Sequence, residues 1–128
     1  MAKKGYKNYI EKPWGYELIV SKELTASRAI PKQELFTVHK ILVILPYQSL
    51  SYQYHKLRRE IWHIKSGFCE LTIDGKTYTP VVPGTVWVID PLVKHSITAV
   101  QVTVIDEVSE HYLDSDIIRI SDKYGRVK

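Results

Sequence analysis

The hydrophobic pattern of this chain is a series of short runs rich in β-branched and aromatic residues, each bounded by turn residues. Runs of this kind are typical of β-strands. The strongest local signal is Asp74-Gly75 between two such runs, because both residues tolerate the positive φ of a type I′ hairpin turn. The predicted strands cover residues 38–45, 50–54, 61–65, 68–73, 76–79, 86–89, 96–99 and 102–108.

Helical signals are nearly absent from the same stretch. No helical pattern of about 10 to 15 residues stands between successive strands, which disfavours a βαβ sheet and favours a small barrel or jelly roll. Only residues 114–120 are predicted to form a short terminal helix, with Asp114 or Ser115 as its N-cap. The predicted fold class is therefore all-β with one short helix near the end of the chain.

The chain has 128 residues, enough for one domain with a substantial core but too few for two. Its formal net charge is +4, yet the two tails supply six positive charges, and the remainder holds twelve basic against fourteen acidic residues. No basic stripe remains in the body, so the sequence predicts no nucleic-acid partner. The tail cations are Lys3, Lys4, Lys7, Lys123, Arg126 and Lys128.

The cellular location is predicted from the cysteine content and from the apolar stretches. Cys69 is the single cysteine, so the chain can form no internal disulfide. The first residues are basic and lead into no apolar signal region, and no stretch approaches the roughly 20 apolar residues of a membrane-spanning helix. These features predict a cytoplasmic protein with no membrane association.

Residue types that ligate metals cluster near the middle of the chain. Residues two apart on a strand share a face, so Gln53 and His55 point the same way. Glu60 begins the next predicted strand after a short turn, and His95 follows a predicted turn at residues 91–94. Two imidazoles, a carboxylate and an amide oxygen suit a divalent ion such as Zn²⁺, Fe²⁺, Mn²⁺ or Ni²⁺. Spacing alone also fits polar residues on a strand surface and histidines satisfied inside a core.

Segments in the same order along the chain resemble the motifs of the cupin superfamily. The match is closest to the cupin domain of type II mannose-6-phosphate isomerases, a domain often fused to a GDP-mannose pyrophosphorylase. Residues 46–67 and 84–95 resemble the paired cupin motifs, and the similarity runs from about Lys12 to Arg126. The individual signatures are residues 12–17 (KPWGYE), 50–55 (LSYQYH), 58–62 (RREIW) and 112–126, which ends with DKYGR.

This resemblance implies a cupin barrel, the double-stranded β-helix or jelly roll, formed by a single domain at residues 12–126 after a basic tail at residues 1–11. It implies a divalent metal, zinc first and iron, manganese, nickel or cobalt as alternatives. It also implies that Arg58 lies near the substrate or its phosphate, and that the chain forms a homodimer through its sheets. The implied metal ligands are Gln53, His55, Glu60 and His95.

The implied activity is the isomerisation of a sugar phosphate, mannose-6-phosphate to fructose-6-phosphate, for nucleotide-sugar and polysaccharide synthesis. Asp106 occupies the acidic position of the family's late strand and is the first candidate for the catalytic base, ahead of His63, Lys40 and Tyr54. Two other functions stay open. One is a metal-binding cupin that acts on another sugar or sugar nucleotide, and the other is a non-catalytic sugar-binding module.

The chain departs from the family pattern at positions that flank the presumed ligands. Ile61 stands where the family usually has His, and Ser96 where an Arg usually follows the motif histidine. Tyr47 and Leu92 stand where the motifs have Gly, and Asp90 where the second motif has Pro. The four ligands are retained, whereas the missing arginine removes a fork that could bind phosphate through two hydrogen bonds.

Overall fold

The computed structural model describes residues 8–29 and 32–127. These residues form eleven β-strands and no helix, and therefore none with the length and hydropathy needed to cross a membrane. The strands are β1 (Tyr9–Lys12), β2 (Gly15–Ala29), β3 (Lys32–Ile44), β4 (Tyr52–Tyr54), β5 (Arg59–Ser66), β6 (Cys69–Ile73), β7 (Lys76–Val81), β8 (Val86–Ile89), β9 (His95–Ala99), β10 (Thr103–Tyr112) and β11 (Ile118–Ser121).

The strands form two antiparallel sheets around one core. The first sheet has six strands in the order β1-β2-β3-β10-β5-β8, and the second has five in the order β11-β4-β9-β6-β7. Successive strands such as β4 and β5 lie in different sheets, which is the connectivity expected of a jelly roll. Both sheets contribute fully buried side chains to the core, among them Trp62 and Ile105 from the first and Leu71 and Ile97 from the second.

All eight predicted strands are present, with β3 and β10 longer than predicted. The hairpin at Asp74-Gly75 is confirmed, because these residues have φ of 46° and 83° and join two paired strands. The sequence analysis missed β1, β2 and β11. In β2, residues 20–25 are all exposed, so this part of the strand lacks the alternation of buried and exposed positions by which a strand is recognised.

The terminal helix predicted at residues 114–120 is wrong. Residues 114 and 115 form a turn, and β11 follows it. Ile118 and Arg119 pair with Tyr54 and Gln53 of β4. A helix this short is marginal in water, whereas the edge of an existing sheet offers a ready ladder of backbone hydrogen bonds.

The beginning of the barrel extends into the segment predicted as a tail. β1 starts at Tyr9 and pairs with β2, while residues 1–7 lie outside the described residues. Gly15, at the start of β2, is required by a close approach of two strands, since a Cβ there would lie 2.0 Å from the carbonyl oxygen of Val43. The division into a tail at residues 1–11 and a domain at residues 12–126 stays a prediction.

Tyr47 and Leu92 are two of the residues other than glycine that adopt a left-handed backbone conformation. Tyr47 has φ of 63° and Leu92 has φ of 72°, and both stand where the resembled family has Gly. The N–H of Leu92 donates to the carbonyl of His55 at 2.7 Å, so this turn supports a presumed ligand. The chain thus keeps the turn geometry with a side chain present, at a strain of about 1 kcal/mol or more per residue.

Replacing Leu92 with glycine removes that strain. We expect Leu92→Gly to leave the free energy of unfolding unchanged or to raise it by up to about 1 kcal/mol, since glycine adopts positive φ freely but loses more entropy on folding. Leu24 is the matched control, because it is 54% exposed in β2 against 64% for Leu92. Leu24→Gly should cost roughly 1 kcal/mol. Urea denaturation measures both variants, and an equal loss in the two would contradict the left-handed turn.

Candidate functional site

Three buried side chains from both sheets meet inside the barrel. His55 directly follows β4, Glu60 lies in β5 and His95 begins β9. The buried Glu60 alternates with partly buried residues along β5 and lies in phase with the core residue Trp62, so it points inward. The ligand atoms of His55, Glu60 and His95 all lie within 4.8 Å of one another. The structure therefore brings together three of the four residues predicted to bind a metal.

In the part of the chain that the structure describes, three polar atoms of the cluster lack a hydrogen-bond partner, and bonds to a metal ion would satisfy all three. His55 Nε2, His95 Nε2 and Glu60 Oε1 are buried and have no hydrogen-bond partner among the described residues. His95 Nδ1 lies 2.9 Å from the Val93 carbonyl, which can only accept, so in the neutral ring this nitrogen carries the proton and Nε2 presents a lone pair. That lone pair faces Glu60 Oε1 at 3.1 Å. Two acceptors at this distance repel each other unless a cation or a proton lies between them.

The protonation state of His55 also suits a metal ligand. Burial lowers the pKa of His55 to about 4, and this effect outweighs the opposing charge of Glu60. The ring is therefore neutral near pH 7, which is the form that binds metals. Two neutral imidazoles and one carboxylate form a ligand set that zinc and other borderline divalent ions accept. The residues present thus fit a divalent metal ion, without selecting one.

Gln53, the fourth predicted ligand, faces the same interior. It is buried, and it lies directly opposite His95 in the ladder between β4 and β9, so the two side chains share a face. Its Oε1 accepts a hydrogen bond from the Ser51 hydroxyl at 3.0 Å. Ligation by Gln53 stays a prediction.

Asp116 fixes the turn that connects His55 to Glu60. Its carboxylate accepts hydrogen bonds from the backbone N–H groups of Lys56, Leu57 and Arg58 at 2.8, 2.9 and 3.1 Å. Although burial opposes it, these three donors lower the pKa of Asp116. Asp116 therefore remains charged and holds the two ligand-bearing strands at a constant separation.

Arg58 lies beside the cluster. Its Nη1 donates to Glu60 Oε2 at 3.3 Å, and its guanidinium stacks on the Tyr112 ring at 4.3 Å from the ring centroid. The side chain is buried, and its Nε has no hydrogen-bond partner among the described residues. Arg58 thus orients the Glu60 carboxylate and keeps one donor available. Its catalytic role stays a prediction.

A cavity of about 330 Å³ adjoins the cluster. Glu60 belongs both to the cluster and to the cavity wall, so the two are continuous. The wall carries five cationic and four acidic side chains before any metal is counted, and the cavity is therefore suited to an anionic ligand. The wall residues are Lys12, Trp14, Glu17, Lys40, Leu42, Leu50, Ser51, Gln53, Arg58, Glu60, Glu107, Tyr112, Asp114, Ile117, Arg119 and Arg126.

Asp106, the predicted catalytic base, does not reach this cavity. Alternate residues of β10 are buried, and Asp106 falls on the outer face, where its carboxylate pairs with His39. His63 is the cross-strand partner of Asp106 and shares that outer face. Tyr54 also points away, since it alternates with Gln53 and His55. Of the residues proposed for the base, only Lys40 lines the cavity.

The acidic side chain of β10 that does face the cavity is Glu107, which the sequence analysis passed over. The Trp62 indole N–H donates to its Oε2 at 2.8 Å, and the Ser109 hydroxyl to its Oε1 at 3.3 Å. Burial, together with the nearby charge of Glu60, raises the pKa of Glu107 to about 8. The available signal was strand parity, because Glu107 is in phase with the apolar Ile105.

Lys40 is the cross-strand partner of Glu107 on β3, and two contacts hold its side chain. Its Nζ donates to Glu17 Oε1 at 3.2 Å and to the Tyr112 hydroxyl at 3.1 Å. Lys40 is itself buried, so its charge lies inside the barrel. An acid, an ammonium group and a presumed metal cluster therefore share one enclosed, polar space. Such a space can bind a polar ligand and move protons on it.

Metal binding tests the cluster directly. We expect the protein to bind about one divalent ion per chain, and His95→Ala to weaken that binding by more than about 100-fold, since losing only a supporting partner of a ligand costs roughly 10- to 100-fold. His63→Ala is the matched control, because this histidine lies on the outer face of β5 and should leave affinity unchanged. Metal analysis with chelator competition measures the metal affinity of both variants. Equal losses in the two variants, or a wild-type protein that takes up no ion, would refute the site.

No protein-family model matches the amino-acid sequence, and no curated protein is significantly similar to it. Solved structures do resemble the chain. KdgF from Halomonas sp. aligns with a TM-score of 0.65 at 13% identity over 83% of this chain and 87% of its own. CapF, solved with an inhibitor, aligns with a TM-score of 0.69 at 13% identity over 89% of this chain and 34% of its own.

A third neighbour comes from Acidithiobacillus ferrooxidans and is provisionally named a sugar phosphate isomerase. It aligns with a TM-score of 0.58 at 23% identity over 65% of this chain and 55% of its own. This chain thus spans just over half the length of that protein. At such low identities the likeness concerns the fold alone, and together with the two all-β sheets it establishes the architecture: the chain has the cupin fold, a double-stranded β-helix of antiparallel strands.

Proposed function

We propose that this chain is a metal-dependent isomerase of a sugar phosphate, most simply of mannose-6-phosphate to fructose-6-phosphate. The observation that carries the proposal is the continuity of two features at Glu60, which belongs both to the presumed metal cluster and to the cavity wall. A ligand in the cavity would therefore contact the metal region and the acidic and basic side chains at once.

Aldose–ketose isomerisation requires a proton to leave C2 and a proton to reach C1, while the hydroxyl proton at O2 is exchanged for one at O1. A divalent ion held by His55, Glu60 and His95 would polarise the carbonyl and stabilise negative charge on its oxygen. Gln53 is the expected fourth ligand. The protein must also supply a group that transfers the proton between C2 and C1, and this group must lie within hydrogen-bond reach of both carbons.

Glu107 is our candidate for the group that moves this proton. Its side chain is buried on the cavity wall and held by Trp62 and Ser109, so its position is fixed before substrate enters. In its ionised form, which predominates above its pKa of about 8, the Glu107 carboxylate can take the proton from C2 and return it to C1 from the same oxygen. Lys40, on the same wall, is suited to stabilise negative charge on the substrate oxygens.

The departures from the family pattern fall outside the cavity. Ile61 alternates with the inward residues Glu60 and Trp62, and so faces outward. Ser96 alternates with His95 and Ile97, and likewise lies on the opposite side of its strand. An arginine at position 96 would point away from this cavity, so its absence takes no charge from the wall. The isomerase proposal is therefore compatible with the departures at Ile61 and Ser96.

Adjacent residues on opposite faces of β10 provide the enzymatic test. We expect Glu107→Gln to lower kcat for isomerisation of mannose-6-phosphate by roughly 100-fold or more, the usual contribution of a general acid–base. Asp106→Asn should change kcat less than about threefold, because its side chain lies outside the barrel.

Coupled measurement of fructose-6-phosphate formation gives both values, with metal content measured on each variant. Equal effects in the two variants would contradict the assignment to Glu107. A wild-type protein that is loaded with metal yet converts no mannose-6-phosphate would instead favour a cupin acting on another sugar or sugar nucleotide. A protein that neither binds metal nor turns over substrate would favour a non-catalytic sugar-binding module.

We also propose that the chain forms a homodimer through the outer face of its six-stranded sheet. His39, Val108, Ile61 and Val88 are successive cross-strand partners on β3, β10, β5 and β8 and form one mostly apolar row across that face. At the edge of the sheet, Val86 and Val88 are 58% and 46% exposed. The nearby Asp106 charge is paired with His39, so an identical face would meet little repulsion.

Light scattering during size-exclusion chromatography tests this interface. We expect the wild-type protein to be dimeric at micromolar concentration and Val88→Asp to be monomeric, because the substitution puts a charge into an apolar contact. Val82→Asp is the control, since Val82 is an exposed valine that belongs to neither sheet. A monomeric wild-type protein, or dissociation by both substitutions, would overturn the proposed interface.

Location in the cytoplasm belongs to the same proposal. Cys69 is free and wholly buried, and burial raises the pKa of its thiol to about 11. A thiol in this state is unreactive. A single unreactive thiol and the absence of a disulfide suit a reducing compartment, which is also where sugar phosphates are made and used.

A further inference from the structure

We propose that Arg119 binds the phosphate group of the substrate, an inference that rests on the proposed function. The phosphate would then lie at the end of the cavity opposite to the metal cluster. Arg119 lies in β11, in the segment that the sequence analysis assigned to a helix. It is not one of the residues to which the resemblance gave a role.

The direction of the Arg119 side chain follows from strand register. Arg119 lies opposite Gln53 in the ladder between β11 and β4, and Gln53 lies opposite His95 in the ladder between β4 and β9. Directly paired residues point to the same face of a sheet. Gln53 and His95 are both buried in the interior, so Arg119 points into the interior with them and lines the cavity.

The same register sets the distance between Arg119 and the metal cluster. Arg119, Gln53 and His95 form a row across three neighbouring strands. Two strand spacings separate the outer members of this row, which is roughly 10 Å between their backbones. An open-chain hexose phosphate carries its reacting carbonyl and its phosphate at opposite ends, and this row is suited to hold both ends at once.

Arg119 differs from the other cationic side chains of the cavity wall, because each of those lies beside a carboxylate. Lys40 pairs with Glu17, Arg58 with Glu60, and Arg126 with Asp122 through its Nε at 2.7 Å and Nη2 at 3.0 Å. The Nζ of Lys12 lies 3.9 Å from the Oε1 of Glu17. Of the cavity cations that the structure describes, Arg119 alone makes no ion pair.

The surroundings of Arg119 favour an anion further. Its Nε is buried and has no hydrogen-bond partner within the described chain. Burial, and then the positive charge of Arg126, lower the pKa of Arg119 against the smaller opposing effect of the Asp122 carboxylate, so its charged form is less stable than in water. An anion would relieve both the lost hydration and the repulsion between the two arginines. The guanidinium fork matches phosphate geometry, which a lone ammonium does not.

Binding of inorganic phosphate to the metal-loaded protein tests the assignment without requiring turnover. Isothermal titration at constant ionic strength should give a dissociation constant that rises roughly 10- to 100-fold in Arg119→Gln, the loss expected for hydrogen bonds to a charged group. Arg119→Lys should lie between this variant and the wild type. Arg59→Gln is the matched control, because Arg59 pairs with Asp90 and Glu110 away from the cavity, and it should bind phosphate as the wild type does.

Metal content and melting temperature accompany each titration, and acetate replaces phosphate in a second series. If Arg119→Gln does not fold, an unchanged affinity in folded Arg119→Lys overturns the proposal. The proposal is also overturned if Arg119→Gln binds phosphate as tightly as the wild type does, or if Arg59→Gln loses as much affinity as Arg119→Gln. It is likewise overturned if the wild-type protein binds no phosphate, or binds acetate more tightly than phosphate. Phosphate binding lost with Arg119 in a protein that lacks isomerase activity would refute the proposed reaction and leave this site standing.

Discussion

The capture of three backbone N–H groups by the Asp116 carboxylate is the interaction on which the site depends. His55 directly follows β4 of the five-stranded sheet, Glu60 lies in β5 of the six-stranded sheet, and the turn at residues 56–58 joins them. Asp116 reaches that turn from the other end of the chain and fixes it by hydrogen bonds of 2.8 to 3.1 Å. Loss of this anchor would leave three backbone N–H groups of the turn without their acceptor and would loosen the connection between the two ligands. Hydrogen bonds to a charged acceptor are strong enough, at about 1.5 to 3 kcal/mol each, to hold it.

The same interaction explains why the end of the chain is extended rather than helical. With its carboxylate committed to the turn, Asp116 directs the following residues along β4, where β11 completes the five-stranded sheet. That strand in turn brings Arg119 to the wall of the cavity, in register with Gln53 and His95. One long-range contact therefore organises the ligands at one end of the cavity and the unpaired cation at the other.

Features that depend on neighbouring residues could be predicted from the sequence. These include the hairpin at Asp74-Gly75, the shared face of Gln53 and His55, and most of the strands. The position of Glu60 and His95 beside His55 came from the resemblance, since no spacing rule brings two sheets together. Asp106 was named from the sequence although its side chain lies on the outer face, because the inward face of β10 is decided by its partners β3 and β5. The roles of Asp116 and Arg119 were out of reach, because each depends on pairing with a segment about sixty residues away.

We expect two imidazoles and the Glu60 carboxylate to bind one divalent ion together. X-ray absorption spectroscopy of the protein loaded with zinc measures that coordination directly. The expected first shell consists of nitrogen and oxygen at about 2.0 to 2.2 Å, with the outer-shell scattering of two imidazole rings and no sulfur. A shell that contains the Cys69 sulfur, or one without imidazole scattering, would contradict it.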